Sequence, residues 1–154
     1  VSPELSFALR GSGGMAKAVA GALRDAGFRS GIILARNETT GRPLAGTYGY
    51  QWRTELGEAQ PDVLINATPI GMAGGPEAEI LAFNPAFIDR AQVVFDVVAV
   101  PPETPLIRYA RTRDRPVITG AEVIALQAAE QFALYTGVRP TEEQIRRASA
   151  YARA

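Results

Sequence analysis

The sequence predicts a three-layer α/β fold in which a doubly wound, mainly parallel sheet carries helices on both faces. Three observations carry this prediction. Short apolar runs of the kind buried on both sides alternate with helix-period segments along the chain. A glycine turn, Gly11-Ser12-Gly13-Gly14, joins the first run to the first helix. Polar or glycine-rich loops at Gly11, Arg36, Thr68, Asp96 and Gly120 each follow an apolar run. Right-handed crossovers would place all of these loops on one edge of the sheet, where open α/β sheets bind ligands.

The composition fits that fold and removes several kinds of function. At 154 residues the chain reads as one domain, 47% apolar and 21% charged. A formal net charge of zero offers no electrostatic case for nucleic acid or an anionic membrane. No apolar stretch reaches the ~18 residues of a membrane span. Arg10 and the glycine turn interrupt the N-terminal apolar run, so no signal peptide is read. There is no cysteine and no histidine, hence no disulfide, no thiolate nucleophile and no expected metal site. The absence of cysteine suits a cytoplasmic enzyme. Lys17 is the one lysine among the cations.

The elements follow in order. Leu5 to Leu9 is the first strand, and Gly14 to Ala26 the first helix, with Met15, Val19, Leu23 and Ala26 on one face and Gly27 past its end. Ser30 to Ala35 is a second strand of buried type. Arg36 to Thr40 reads as a polar loop, and a helix is expected from about Gly41 to Tyr48, although Gly41, Pro43 and Gly46 weaken it. A short strand at Tyr50 to Trp52 and a buried strand at Asp62 to Asn66 come next. A long loop, Ala67 to Pro76, leaves the latter, and a short helix is read at Pro85 to Arg90. Gln92 to Val98 is the clearest strand. Thr104-Pro105 opens a helix as N-cap and first helical residue, ending near Thr112. Pro116 to Thr119 is the last strand, closed by Gly120. Ala121 to Thr136 is the longest helix, and the capping box Thr141-Glu142-Glu143-Gln144 opens a final one to about Arg153.

The glycine turn has the form G-x-G-x-x-A, the fingerprint of a Rossmann-like dinucleotide-binding domain. Gly11 permits the tight turn, Gly13 lets a pyrophosphate approach the backbone, and Ala16 lets helix and strand pack closely. The helix N-terminus then offers free N–H groups to phosphate. The end of the second strand selects the cofactor. NAD-binding domains place an acidic residue there for the ribose 2′-OH, whereas this chain has Ala35-Arg36-Asn37. An arginine suits a 2′-phosphate, so NADP is favoured, with Arg42 as a second cation. Asn66 and Thr68 stand where they could line the cofactor, but both are also ordinary turn residues. Asp96, at a strand end, is either a base or a carboxylate bonded to nearby N–H groups. Gln127 sits mid-helix, where such a residue is commonly solvated.

Together these stretches resemble the C-terminal NADP-binding domain of the shikimate dehydrogenase family. The resemblance runs through Gly11 to Ala16, Arg36, Ile65-Asn66-Ala67-Thr68-Pro69-Ile70-Gly71-Met72, the spacing of Asp96, Pro101, Thr104, Pro105 and Leu106, and Gly120 with Gln127-Ala128-Ala129. It covers roughly residues 5 to 138. It implies reduction of 3-dehydroshikimate to shikimate with NADPH, a step of aromatic amino acid biosynthesis on the way to chorismate. By position it implies that Gly11, Ser12, Gly13, Gly14 and Met15 bind pyrophosphate and that Arg36, Asn37 and Arg42 bind the 2′-phosphate. Val97 and Gly120 would border the nicotinamide, and Gln127 would reach the substrate. Ala35, Asn37, Ala99, Val100 and Val123 depart from the family pattern, leaving a quinate-type or other paralogue open.

The family's catalytic Lys–Asp pair belongs to an N-terminal substrate domain, and only ten residues precede Gly11 here. The expectation is therefore a cofactor half without a catalytic residue of its own, inactive alone. Its last helices, about 121–153, would pack toward the missing domain, and their exposed apolar surface would invite association, including a homodimer. The alternative is a stand-alone dinucleotide-binding or regulatory module without catalysis.

Overall fold

The computed structural model describes residues 1–151. Six parallel strands form one sheet in the order β3-β2-β1-β4-β5-β6. They are β1 (Phe7–Arg10), β2 (Gly31–Leu34), β3 (Gln51–Arg53), β4 (Val63–Asn66), β5 (Val93–Asp96) and β6 (Val117–Thr119). The helices are α1 (Gly14–Asp25), α2 (Glu38–Tyr48), α3 (Pro85–Ile88), α4 (Pro105–Thr112), α5 (Gly120–Thr136) and α6 (Glu142–Tyr151). The strand order reverses between β1 and β4, as the doubly wound prediction requires.

Strand alternation builds two cores. Phe7, Leu9, Ile33, Val63 and Ile65 point to the face covered by Ala16 and Ala20 of α1 and Leu44 and Ala45 of α2. Ala8, Leu34, Leu64 and Val94 point the other way, against Ile88 of α3 and Leu106 and Ala110 of α4. Small residues on α1 bring that helix close to the sheet, as the reading of Ala16 anticipates.

Several strand and helix ends shift by one or two residues, and two boundaries differ in kind. The polar stretch after β2 is not all loop: α2 begins at Glu38, capped by Asn37, whose Oδ1 accepts from the Thr39 amide at 2.9 Å and the Thr39 hydroxyl at 2.6 Å. Gly41 sits inside this helix because a Cβ there would collide with the Trp52 indole and Ala35. Its place is set by packing, so its poor helix propensity is overridden. Gly120 opens α5 instead of closing β6. Thr119 is the cap, in a reciprocal box with Glu122. The box predicted at Thr141 and Gln144 is present, and the expected end of α6 at Arg153 lies outside the described residues.

The register aligns one transverse row at the C-terminal edge. Arg53, Leu34, Arg10, Asn66, Asp96 and Thr119 stand side by side across all six strands. The ends of these strands, the loops that leave them and the first residues of α1 and α5 carry every site residue expected from the sequence except Arg42 and Gln127, which lie further along α2 and α5.

Candidate nucleotide-binding site

The glycine turn is shaped by the strand beside it. Gly11 has φ +122, and an added Cβ would lie 2.9 Å from the Ala67 carbonyl oxygen and 3.2 Å from Thr68 Cγ2. Only glycine takes that backbone conformation without strain. Its amide donates to the Leu34 carbonyl at 3.0 Å, so the turn is seated on β2 as well. Gly13 and Gly14 differ: an added Cβ at either would meet nothing within 4 Å. Their backbone faces open space. Ser12 Oγ and Thr40 Oγ1 lie 2.7 Å apart, tying the turn to the first residues of α2. Met15, in the first turn of α1, is half-exposed.

The N-terminus of α1 is chemically distinct. Its N-cap is Gly13, with no side-chain cap bond and no acidic residue in the first turn. Among the described residues every other helix opens on a side chain: Asn37, Asn84, Thr104, Thr119 and Thr141. The first amides of α1 therefore keep unspent donors at the positive end of the helix dipole.

Beside the turn, Arg36 is exposed and takes part in none of the five ion pairs among the described residues. Asn37 and Arg42, grouped with it by the sequence, are already engaged. Asn37 caps α2. Arg42 pairs with Glu38 at 2.7 Å and lies 5.0 Å from the Trp52 ring centroid. The pair is exposed on both sides, so it adds well under about 1 kcal/mol, and an anion can compete for it.

Asn66 requires a correction. It has no exposed surface, so it does not line the site directly. Its Oδ1 accepts from the Thr68 amide at 3.1 Å and hydroxyl at 2.6 Å, and its Nδ2 donates to the Ile70 carbonyl and to Asp96, both at 3.0 Å. Asn66 shapes the loop, and Thr68, half-exposed, is the residue that the loop presents.

Asp96 lies in the same network, and its reading as a base does not survive. It is fully buried, and every partner donates to it: Asn66 Nδ2 and the Val98 amide at 3.0 Å on Oδ1, the Thr104 hydroxyl at 2.7 Å on Oδ2. Thr104 can give its proton because its oxygen also accepts the Ile107 amide as the α4 cap. Burial pushes the carboxyl up from its ordinary value, opposed by these three bonds. With three donors converging on it and no exposed surface, Asp96 is a clasp between loops.

The far end of the edge is formed by Val97 and Gly120. A Cβ on Gly120 would fall well inside contact distance of the Val97 carbonyl. Glycine is thus required for β6 and α5 to close on the loop after β5. Gln127 is exposed on α5. Next to this end an apolar groove of about 700 Å³ runs between α5, α6 and the loop, lined by Ala99, Val100, Ile124, Phe132 and Ile145 among others. No glycine-turn residue lines it. The outer surface of α5 exposes Leu126, Leu134 and Tyr135. Sequence reasoning missed Arg10, the residue before Gly11. The signal was a lone charge closing an apolar strand against a glycine turn. No group of metal-ligating side chains is assembled among the described residues, and no described helix is long and apolar enough to cross a membrane.

A six-stranded parallel sheet, reversed at β1/β4 with a glycine turn into an uncapped helix at the reversal, defines a Rossmann-like domain of the dinucleotide-binding class. The comparisons make this specific. No protein-family model matches the chain. A shikimate dehydrogenase-like protein of Haemophilus influenzae is 55% identical over 145 residues, which is 94% of this chain and 54% of that protein. A solved structure of a shikimate 5-dehydrogenase-like protein superposes with a TM-score of 0.98 at 52% identity, covering 100% of this chain and 57% of the other. The shikimate 5-dehydrogenase of Thermus thermophilus in complex with NADP(H) and shikimate gives 0.83 at 27% identity, covering 99% and 57%. The chain belongs to the shikimate dehydrogenase family. It spans about half the length of the curated relatives it matches.

Proposed function

We propose that this chain is the NADP-binding half of a shikimate 5-dehydrogenase-type oxidoreductase. The observation that carries this reading is the pairing of an uncapped α1 N-terminus behind open glycine backbone with an unpaired arginine at the end of β2. The first supplies N–H donors to a pyrophosphate, and the second suits a 2′-phosphate. A Cβ at Gly13 or Gly14 would project into the space the phosphate needs, so the residues present fit the cofactor.

When bound, NADPH supplies the hydride for reduction of 3-dehydroshikimate to shikimate. The chain's own part is to hold and orient. Gly11 to Met15 receive the pyrophosphate, and Arg36, with Arg42 released from Glu38, receives the 2′-phosphate. Thr68, placed by Asn66, borders the middle of the cofactor. Val97 and Gly120 form the wall behind the nicotinamide, and Gln127 reaches the substrate. No proton donor is assigned to this chain, because Asp96 is enclosed and Lys17 lies on the exposed side of α1. A substrate domain would supply the donor and cover the apolar outer surface of α5 and α6. This half alone therefore binds NADPH and turns over little.

Fluorescence titration with NADPH and NADH tests the reading. The expected result is preferential binding of NADPH, with Arg36→Met reducing the preference by about tenfold, the loss of one charge-assisted contact. Equal or absent binding of both cofactors by the folded chain would overturn it.

A further inference from the structure

Arg10 is the residue of the sheet edge that the reading above leaves without a role. It ends β1, half-buried, in register with Leu34 on one side and Asn66 on the other. That is the point where the strand order reverses. Its side chain leaves on the same face as Ala8, over Phe83, with the guanidinium carbon 6.0 Å from the ring centroid. An apolar residue would satisfy this part of the core at no desolvation cost, so the packing alone gives no reason for an arginine.

None of the five ion pairs among the described residues includes Arg10. Burial lowers the guanidinium from its ordinary value and the charge of Arg36 lowers it further, while Glu77 opposes both without forming an ion pair. The register places Arg10 beside Leu34, two residues before Arg36, so the two arginines stand at neighbouring strand ends. Arg10 keeps its charge, since an arginine does not release its proton under ordinary conditions. Two like charges, neither held in an ion pair among the described residues, leave a repulsion that a bound anion relieves. Arginine suits the position in a second way: its guanidinium lies over the Phe83 ring and carries paired N–H donors.

We propose that Arg10 and Arg36 form a two-arginine clamp on the ribose 2′-phosphate, with Arg10 as the arm fixed against Phe83. The clamp rests on the reading of this edge as an NADP site and adds to it a specificity residue outside the glycine turn and the loop after β2.

The test is a Kd measurement for NADPH and for NADH on the full chain, by fluorescence titration at low and high salt. Arg10→Met keeps an apolar stem on Phe83 and removes the charge. Arg10→Lys keeps the charge and removes the fork. The clamp predicts that Arg10→Met weakens NADPH about tenfold and leaves NADH within about twofold, with a shallower salt dependence for NADPH. Arg10→Lys should lose about threefold for NADPH only, since it keeps the charge and loses the bidentate geometry. The variant lacking both arginines should keep only the small NADPH preference that Arg42 supplies. Unchanged NADPH affinity in folded Arg10→Met overturns the clamp, and a selective loss in Arg36→Met would then leave the broader reading standing. Equal weakening of NADPH and NADH also overturns it, because Arg10 would then serve the fold or the adenosine. If neither arginine matters to NADPH, both the clamp and the reading fall. Should Arg10→Met not fold, Arg10→Lys decides: NADPH affinity equal to that of the unaltered chain overturns the proposal.

Discussion

Gly11 and Gly13 stand two residues apart in one turn, yet the structure assigns their missing side chains to different causes. At Gly11 the backbone conformation and the Ala67 carbonyl both exclude a Cβ. Holding a non-glycine residue at such a φ costs about 1–3 kcal/mol. Forcing a methyl group against a backbone oxygen that is fixed in the sheet adds about 1–3 kcal/mol. Taking the middle of the sum, about 4 kcal/mol, Gly11→Ala should lower the melting temperature by roughly 8–16 °C at this chain length. Gly13→Ala meets no atom, and Gly13 has φ −79, so its melting temperature should stay within about 2 °C. Its effect should appear in binding, as a loss of NADPH affinity on the order of tenfold or more, because the methyl group occupies the phosphate's approach. Thermal unfolding followed by circular dichroism, with NADPH titration of each variant, reads both quantities. The reasoning is refuted if Gly11→Ala melts with the unaltered chain, or if Gly13→Ala binds NADPH as well as the unaltered chain does.

Two further outcomes follow from the carboxylates. In Asp96→Asn an amide faces the Thr104 hydroxyl, whose proton loses its acceptor; denaturant unfolding should show a loss of about 1–3 kcal/mol, and unchanged stability would argue against three donors converging on that carboxylate. Asp62 is held below its ordinary value first by the Ser6 hydroxyl, then by the Ser6 amide, with Gln92 adding to both. Its contribution is complete above the unfolded value of about 3.8 and is lost as pH falls through the lower folded value. The gap in melting temperature between the unaltered chain and Asp62→Asn should therefore shrink below about pH 3.8, and a gap that widens in acid would contradict this linkage.

The layers and the strand-to-helix alternation were legible because buried parallel strands leave long apolar runs, and this chain marks their ends with glycine, proline and capping residues. The start of α2 was not legible. Asn37, Thr39 and Thr40 read as loop residues by composition, but Asn37 is a cap and Thr40 reaches back to Ser12. Gly41 counted against a helix, although the Trp52 ring that explains it is eleven residues further on and packs there only once β3 has joined the sheet. The candidate site shows the same limit. Motif and strand-end position marked Gly11 to Met15, Arg36 and Gly120. The enclosure of Asn66 and the isolation of Arg10 depend on which strands lie side by side, and pairing across 56 residues between β1 and β4 has no local signature.

The clasp at Asp96 has a consequence for how this domain can change. One carboxylate holds both ends of a loop, the Val98 amide at the near side and the Thr104 hydroxyl at the far side. The five residues between, Ala99 to Glu103, hang from fixed posts, with Pro101 and Pro102 limiting the backbone of the span. Ala99 and Val100 face the apolar groove from that span. Their side chains can be exchanged without loosening either post, so what the groove meets is separable from what keeps the sheet edge closed. The segment is in effect a cassette, and variation within it would retune the wall of the groove while the nucleotide end of the domain stays as it is.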